Sequence, residues 1–200
     1  MKTLKLIPLL AVCAAVSMLT SCLTDDEGTV QNSLTPSDIA LCIQQMKGSY
    51  DGRLFFYDSS NNVDSIDGVH WLIDNDTTLV IKNLSPAALV SRVSDKELKA
   101  ALEKAEPQPI VCKYAVVNNN PIQWLVNPVG PAYDVEYSDG SKHEVVPVFI
   151  HNHTSSYGTV DSKHAYLQLL LYGFYVDQKL ATDFYNYTGE AIPMAILSYK

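Results

Sequence analysis

The stretch YDVEYSDGSKHEVVPVFIH, Tyr133 to His151, decides the fold class. Tyr133 to Tyr137 alternates apolar and polar residues, Asp139-Gly140 sits where a tight reversal is needed, and Glu144 to His151 resumes as an extended run. A type I′ turn requires positive φ at both central residues, so an Asp-Gly pair between two strand-like runs predicts a hairpin. Val145 to Ile150 is apolar at almost every position, which suits a strand covered on both faces.

The same period extends in both directions. Tyr50 to Tyr57, Val69 to Asp74 and Thr77 to Leu84 predict three strands, the last two joined by a turn at Asn75-Asp76. Ile110 to Val117, Ile122 to Val126, Ala165 to Val176 and Ile192 to Tyr199 bring the count to about nine. Two departures from period two read as helical. Thr35 as N-cap, Pro36 at the first helical position and Gly48 past the end bracket a helix whose Ile39, Cys42, Ile43 and Met46 form one apolar stripe. Between the third and fourth strands, Ser85-Pro86 opens a short helical turn. Ser94-Asp95-Lys96-Glu97 then reads as a capping box for a second helix, with Leu98, Ala101 and Leu102 facing inward. Strands adjacent in sequence without regular strand–helix alternation predict an α+β fold. It is mainly antiparallel β, a sandwich or a flattened barrel, with an N-terminal helix and a helical insertion in the middle of the chain.

Residues 1–21 read as a lipoprotein signal peptide: Lys2 and Lys5 precede an apolar core, and Leu19-Thr20-Ser21-Cys22 places small residues before a cysteine. Cleavage before Cys22 and its acylation would anchor the chain to a membrane, since each buried methylene contributes roughly 0.8 kcal/mol. The expected location is therefore an outer-membrane lipoprotein, facing the periplasm or the cell surface. Residues 22–34 lack apolar periodicity and read as a flexible tether, and residues 35–200 as a single globular domain. Within the tether, Asp25-Asp26-Glu27 looks like the export tag of surface lipoproteins in Bacteroides-type bacteria, or a solvated spacer.

Charge excludes one class of partner. Loss of Lys2 and Lys5 with the signal takes 14 basic residues to 12 against 22 acidic, a net charge near −10. Without a basic run there is nothing to neutralise phosphates, and nucleic acid is not expected. Cys42 and Cys112 are the two cysteines left in the folded part, either as a disulfide permitted by an oxidising compartment or as two buried thiols.

Gly48-Ser-Tyr-Asp-Gly-Arg-Leu, Asp76-Thr-Thr-Leu-Val-Ile-Lys-Asn-Leu, Ser94-Asp-Lys-Glu-Leu-Lys-Ala-Ala-Leu and Asn127-Pro occur in that order. In these motifs the chain resembles a family of Bacteroides-type lipoproteins carrying a domain of unknown function, over roughly Leu34 to Lys179. The resemblance implies a small secreted domain and supplies no catalytic residues.

Candidate chemistry is sparse. His151 and His153, two apart on a predicted strand, would point to one face about 6.5–7 Å apart, and His164 across the next connection would be a third ligand for a metal such as zinc. His143-Glu144 begins like the zinc-protease motif but has Pro147 where the second histidine belongs. No phosphate-binding loop, nucleophile elbow or dinucleotide fingerprint is present, so no cofactor is expected. Asp74 with Asp76, and Asp64 with Asp67, read as turn caps. Aromatic residues crowd the last third. Tyr157, Tyr185 and Tyr187 are the expected exposed, ligand-binding subset, whereas period two places at least one of Tyr172 and Tyr175 in the core. The function expected from these features is a lipid-anchored, non-enzymatic binding or interaction module of the cell envelope, with a glycan, peptide or protein ligand. The alternative is a small metal-dependent hydrolase built on the three histidines.

Overall fold

The computed structural model describes residues 34–183 and 191–199. The signal peptide, Cys22 and the tether up to residue 33 lie outside them, as do Tyr185 and Tyr187. Helix α1 (Pro36–Met46) forms where its punctuation places it: the Thr35 hydroxyl accepts from Asp38 N at 3.1 Å, and the Asp38 carboxylate accepts from Thr35 N at 3.0 Å. Its buried side chains are Cys42 and Met46, and it packs against a central strand.

Eleven strands follow: β1 (Gly48–Tyr57), β2 (Val63–Ile73), β3 (Thr78–Ile81), β4 (Ile110–Asn119), β5 (Ile122–Val129), β6 (Tyr133–Glu136), β7 (Lys142–Phe149), β8 (Tyr157–Val160), β9 (His164–Val176), β10 (Lys179–Asp183) and β11 (Ile192–Tyr199). Among the described residues all eleven strands pair antiparallel. The path β11-β1-β2-β3-β4-β5-β8-β9 returns to β11 and closes a ring of eight strands, so the flattened-barrel alternative describes the fold. Strand β9 outruns the ring. Its first half pairs with β8 and β11, and its second half carries β7 and β6 on one edge and β10 on the other.

An eight-stranded barrel is just wide enough to be filled by side chains. Trp71 and Trp124 are fully buried here, as are Tyr50, Met46, Leu54 and Ile73 of the same core. Trp71 stacks on Tyr50 with ring centroids 4.3 Å apart, and its indole N–H donates to Ser198 Oγ at 2.8 Å. An interior packed in this way argues against a barrel that holds an apolar ligand. Cys42 and Cys112 are buried free thiols, and burial raises the pKa of both.

The helical insertion lies between β3 and β4 as α2 (Pro86–Leu89) and α3 (Lys96–Leu102), burying Leu89, Leu98 and Leu102. The cap of α3 differs from the expected one. Asp95 is the N-cap and accepts from Glu97 N and Leu98 N, because the Glu97 carboxylate is turned outward to take Ser138 N at 3.1 Å and Ser138 Oγ at 2.8 Å.

Other differences have local causes. Around Asp139-Gly140 only Gly140 has positive φ. Gly140 N donates to Tyr137 O and Tyr137 N to Ser141 O, which makes a three-residue loop in place of a type I′ turn. Positive φ at both central residues occurs instead at Asp177-Gln178, between β9 and β10. Strands β8 and β10 carried too few residues to read as period two. Strand β8 also contains Gly158, over which the Trp124 indole packs. Neither Tyr172 nor Tyr175 is buried: the former is half-buried and the latter 40 % exposed. A register shift at Val148/Phe149 breaks the alternation, and Phe174 fills the core there.

Candidate functional site

Along β1, β11, β9, β8 and β5 the residues that do not enter the core share the outer face, and the registers align them in rows. One row runs Phe55, Ala195, Gln168, Tyr157 and Leu125; the next runs Arg53, Leu197, Tyr166, Thr159 and Gln123. Rows two residues apart are about 7 Å from one another, and five strands span about 19 Å. The result is an outer barrel face with aromatic rings beside amides and a guanidinium.

Its centre is fixed by hydrogen bonds. The Tyr157 and Tyr166 rings lie 5.6 Å apart, tilted by 41°. Tyr166 Oη donates to Gln168 Oε1 at 2.6 Å, and Gln168 Nε2 donates to Ser155 O at 2.8 Å. Arg53 is paired with Asp67 through Nε at 2.5 Å and Nη2 at 3.0 Å, which raises its pKa further. A third row, His70, Asp51, Tyr199 and His164, borders the surface, with His164 and Tyr199 rings 5.4 Å apart. Tyr157, singled out from sequence, thus sits mid-surface. Tyr166 and Gln168 were not legible as its neighbours, nor Arg53 as part of the same face, because only the β8–β9, β9–β11 and β11–β1 pairings bring them together.

The three histidines considered as metal ligands are engaged separately. Strand β7 ends at Phe149, so His151 and His153 lie in a loop and the two-residue strand period does not govern them. His151 Nε2 donates to Pro128 O at 2.6 Å, His153 Nδ1 accepts from Ser155 N at 3.1 Å, and His164 Nδ1 lies 3.6 Å from Asp161. Among the described residues no group of three His, Cys, Asp or Glu side chains is arranged to hold a metal ion. The carboxylates read as turn caps are also engaged: Asp76 pairs with Lys47 at 2.8 Å, Asp67 with Arg53, Asp74 accepts from Asn75, and Asp64 from Ser65 N.

Two hydrogen-bonded Ser–His–Asp sets had no sequence signal. Ser141 Oγ lies 2.8 Å from His143 Nε2, and His143 Nδ1 lies 2.8 Å from Asp177 Oδ2. On β1 and β2, Ser49 Oγ lies 3.2 Å from His70 Nε2, and His70 Nδ1 lies 2.7 Å from Asp51 Oδ1. In the first set Ser141 and Asp177 come from two turns and His143 from β7, and the spacing between Ser141 and Asp177 carries no recognisable pattern.

No curated protein and no solved structure matches the chain. Residues 45–176, from the last turn of α1 to the end of β9, match the family described as Domain of unknown function (DUF4840), and the chain belongs to that family.

Proposed function

We propose that the protein is a lipid-anchored module of the bacterial cell envelope that binds a glycan through the outer face of β1, β11, β9, β8 and β5. One observation carries the binding part: the half-buried Tyr157–Tyr166 ring pair held beside the Gln168 amide on the outer face of the barrel. Rigid aromatic rings give contact area at low entropic cost, while amide and hydroxyl groups orient a polyhydroxylated ligand. A net charge near −10 after signal removal favours a neutral glycan over an anionic one. The Leu19–Cys22 pattern supports the anchor. The acidic Asp25-Asp26-Glu27 cluster supports surface display and an origin among Bacteroides-type lipoproteins.

The test is retention of the full-length protein on a panel of immobilised neutral polysaccharides. The wild type is expected to be retarded on at least one of them, and the double variant Tyr157→Ala, Tyr166→Ala to lose retention while keeping its fold, since truncating an aromatic anchor costs more than about 1 kcal/mol of binding. Equal retention of both proteins, or retention of neither, contradicts the proposal. The anchor has its own test. Cys22→Ala should abolish incorporation of labelled fatty acid, because no other residue accepts the thioether; a labelled variant overturns that part.

A further inference from the structure

Beyond ligand binding, we propose that Ser141 is a reactive nucleophile, activated by His143 and positioned by Asp177, that accepts acyl groups from activated esters. In the tautomer with the proton on Nδ1, His143 donates to Asp177 Oδ2 and offers its Nε2 lone pair to the Ser141 hydroxyl, both at 2.8 Å. That is the nucleophile–base–orienter connectivity required for general-base activation.

The supporting groups hold this arrangement from several sides. Asp177 sits in the two-residue β9–β10 turn with φ of 48°. Its second oxygen accepts from Glu144 N at 3.0 Å, and its own N–H donates to Glu144 O at 2.9 Å. The hydrogen bond from His143 keeps the Asp177 carboxyl below the usual carboxylate range. The Tyr137 ring packs on the imidazole with centroids 4.3 Å apart, leaving the His143 side chain 23 % exposed. Asp139, on the same hairpin, is a second hydrogen-bond partner of the Ser141 side chain and also faces His143; Lys179 faces Asp177, and Asp95 and Glu97 of α3 approach Tyr137.

The loop also limits the substrate class. Ser141 N donates to Asp139, Gly140 N to Tyr137 O and Ser138 N to Glu97, so these three amides are committed within the protein. An oxyanion gains nothing from them, and the reaction suits aryl esters or thioesters, whose leaving groups need little assistance. In the step itself, the Ser141 Oγ–carbon bond forms and the carbon–leaving-group bond breaks. The hydroxyl proton passes to His143 Nε2 and from there to the departing aryloxide or thiolate. Water then cleaves the acyl-serine, its proton taking the same route, to give the acid and free Ser141.

The experiment treats the full-length protein with a fluorophosphonate probe and with p-nitrophenyl acetate, with modified peptides located by mass spectrometry. Probe attachment at Ser141 is expected, lost in Ser141→Ala and slowed at least 100-fold in His143→Gln, within the range of general-base contributions. Ser49→Ala serves as a control, because its set is looser at 3.2 Å and the Asp51 side chain is 81 % exposed; labelling should be unchanged. Asp177→Asn should lower the rate and alter the pH profile, with partial recovery in Asp177→Glu, which a purely structural contact would not produce. Absence of modification at Ser141, or the same rate in folded His143→Gln, overturns the proposal. The polysaccharide retention assay is unaffected by either result, so failure here leaves the binding surface to be judged separately.

Discussion

Gly158→Ala is expected to destabilise the protein by about 3 kcal/mol or more, at or beyond the upper end of ordinary overpacking. A methyl group at residue 158 would lie 2.2 Å from Trp124 Cε2, 2.3 Å from Cζ2 and 2.5 Å from Nε1. The indole is fully buried inside the ring and cannot swing away as an exposed side chain would. Strand β8 therefore tolerates only glycine where it passes Trp124, and the loss falls on the segment that links β5 to β9. Urea denaturation gives the size of the effect. A double-mutant cycle with Trp124→Leu identifies its cause: the two changes together should cost less than their sum, because the smaller side chain makes room for the methyl group. Strict additivity would mean that Trp124 is not what excludes the side chain.

The second large effect is at the other tryptophan. Trp71→Ala should cost about 3–5 kcal/mol, as for other buried aromatic truncations. The change removes the stack on Tyr50, opens a cavity, and leaves the buried Ser198 hydroxyl without its donor at 2.8 Å. Trp71→Phe separates these terms. It keeps an aromatic ring against Tyr50 but leaves Ser198 unpaired, and should cost roughly 1–3 kcal/mol. If Phe and Ala were equally damaging, ring packing would contribute little and the hydrogen bond would dominate. Ser198→Ala introduced with Trp71→Phe should recover part of the loss, since an unpaired buried polar group is then removed altogether.

What could be read from sequence was local. Helix α1 is punctuated by Thr35, Pro36 and Asp38, and β11 coincides with the run Ile192 to Tyr199, because capping and period two are written in neighbouring residues. The sequence motifs shared with a family of unknown function correspond to a match over residues 45–176. Ring closure was not legible. It depends on Ile192–Tyr199 pairing with both β1 and β9, a choice between distant edges that no window of sequence contains. Strand β8 was hidden because four residues with a glycine resemble a turn, and the glycine is explained only by Trp124 some thirty residues earlier. The same limit applies to the candidate sites. Tyr157 stood out as an aromatic residue near a polar loop, whereas Tyr166 beside it follows from the β8–β9 register, with Thr159 opposite Tyr166 and Tyr157 opposite Gln168. His151 and His153 are not aligned because the strand ends at Phe149, two residues before the first of them and four before the second.

The proposed surface and the barrel that displays it make a single claim about where ligand contacts fall. Tyrosine-directed chemical modification of the full-length protein, with and without the polysaccharide that retains it, tests that claim most directly. Tyr157 and Tyr166 should be protected by ligand, while Tyr175, exposed on the β9 extension, should react equally in both samples. Protection of Tyr175 with Tyr157 and Tyr166 unchanged would place the ligand elsewhere and contradict the account.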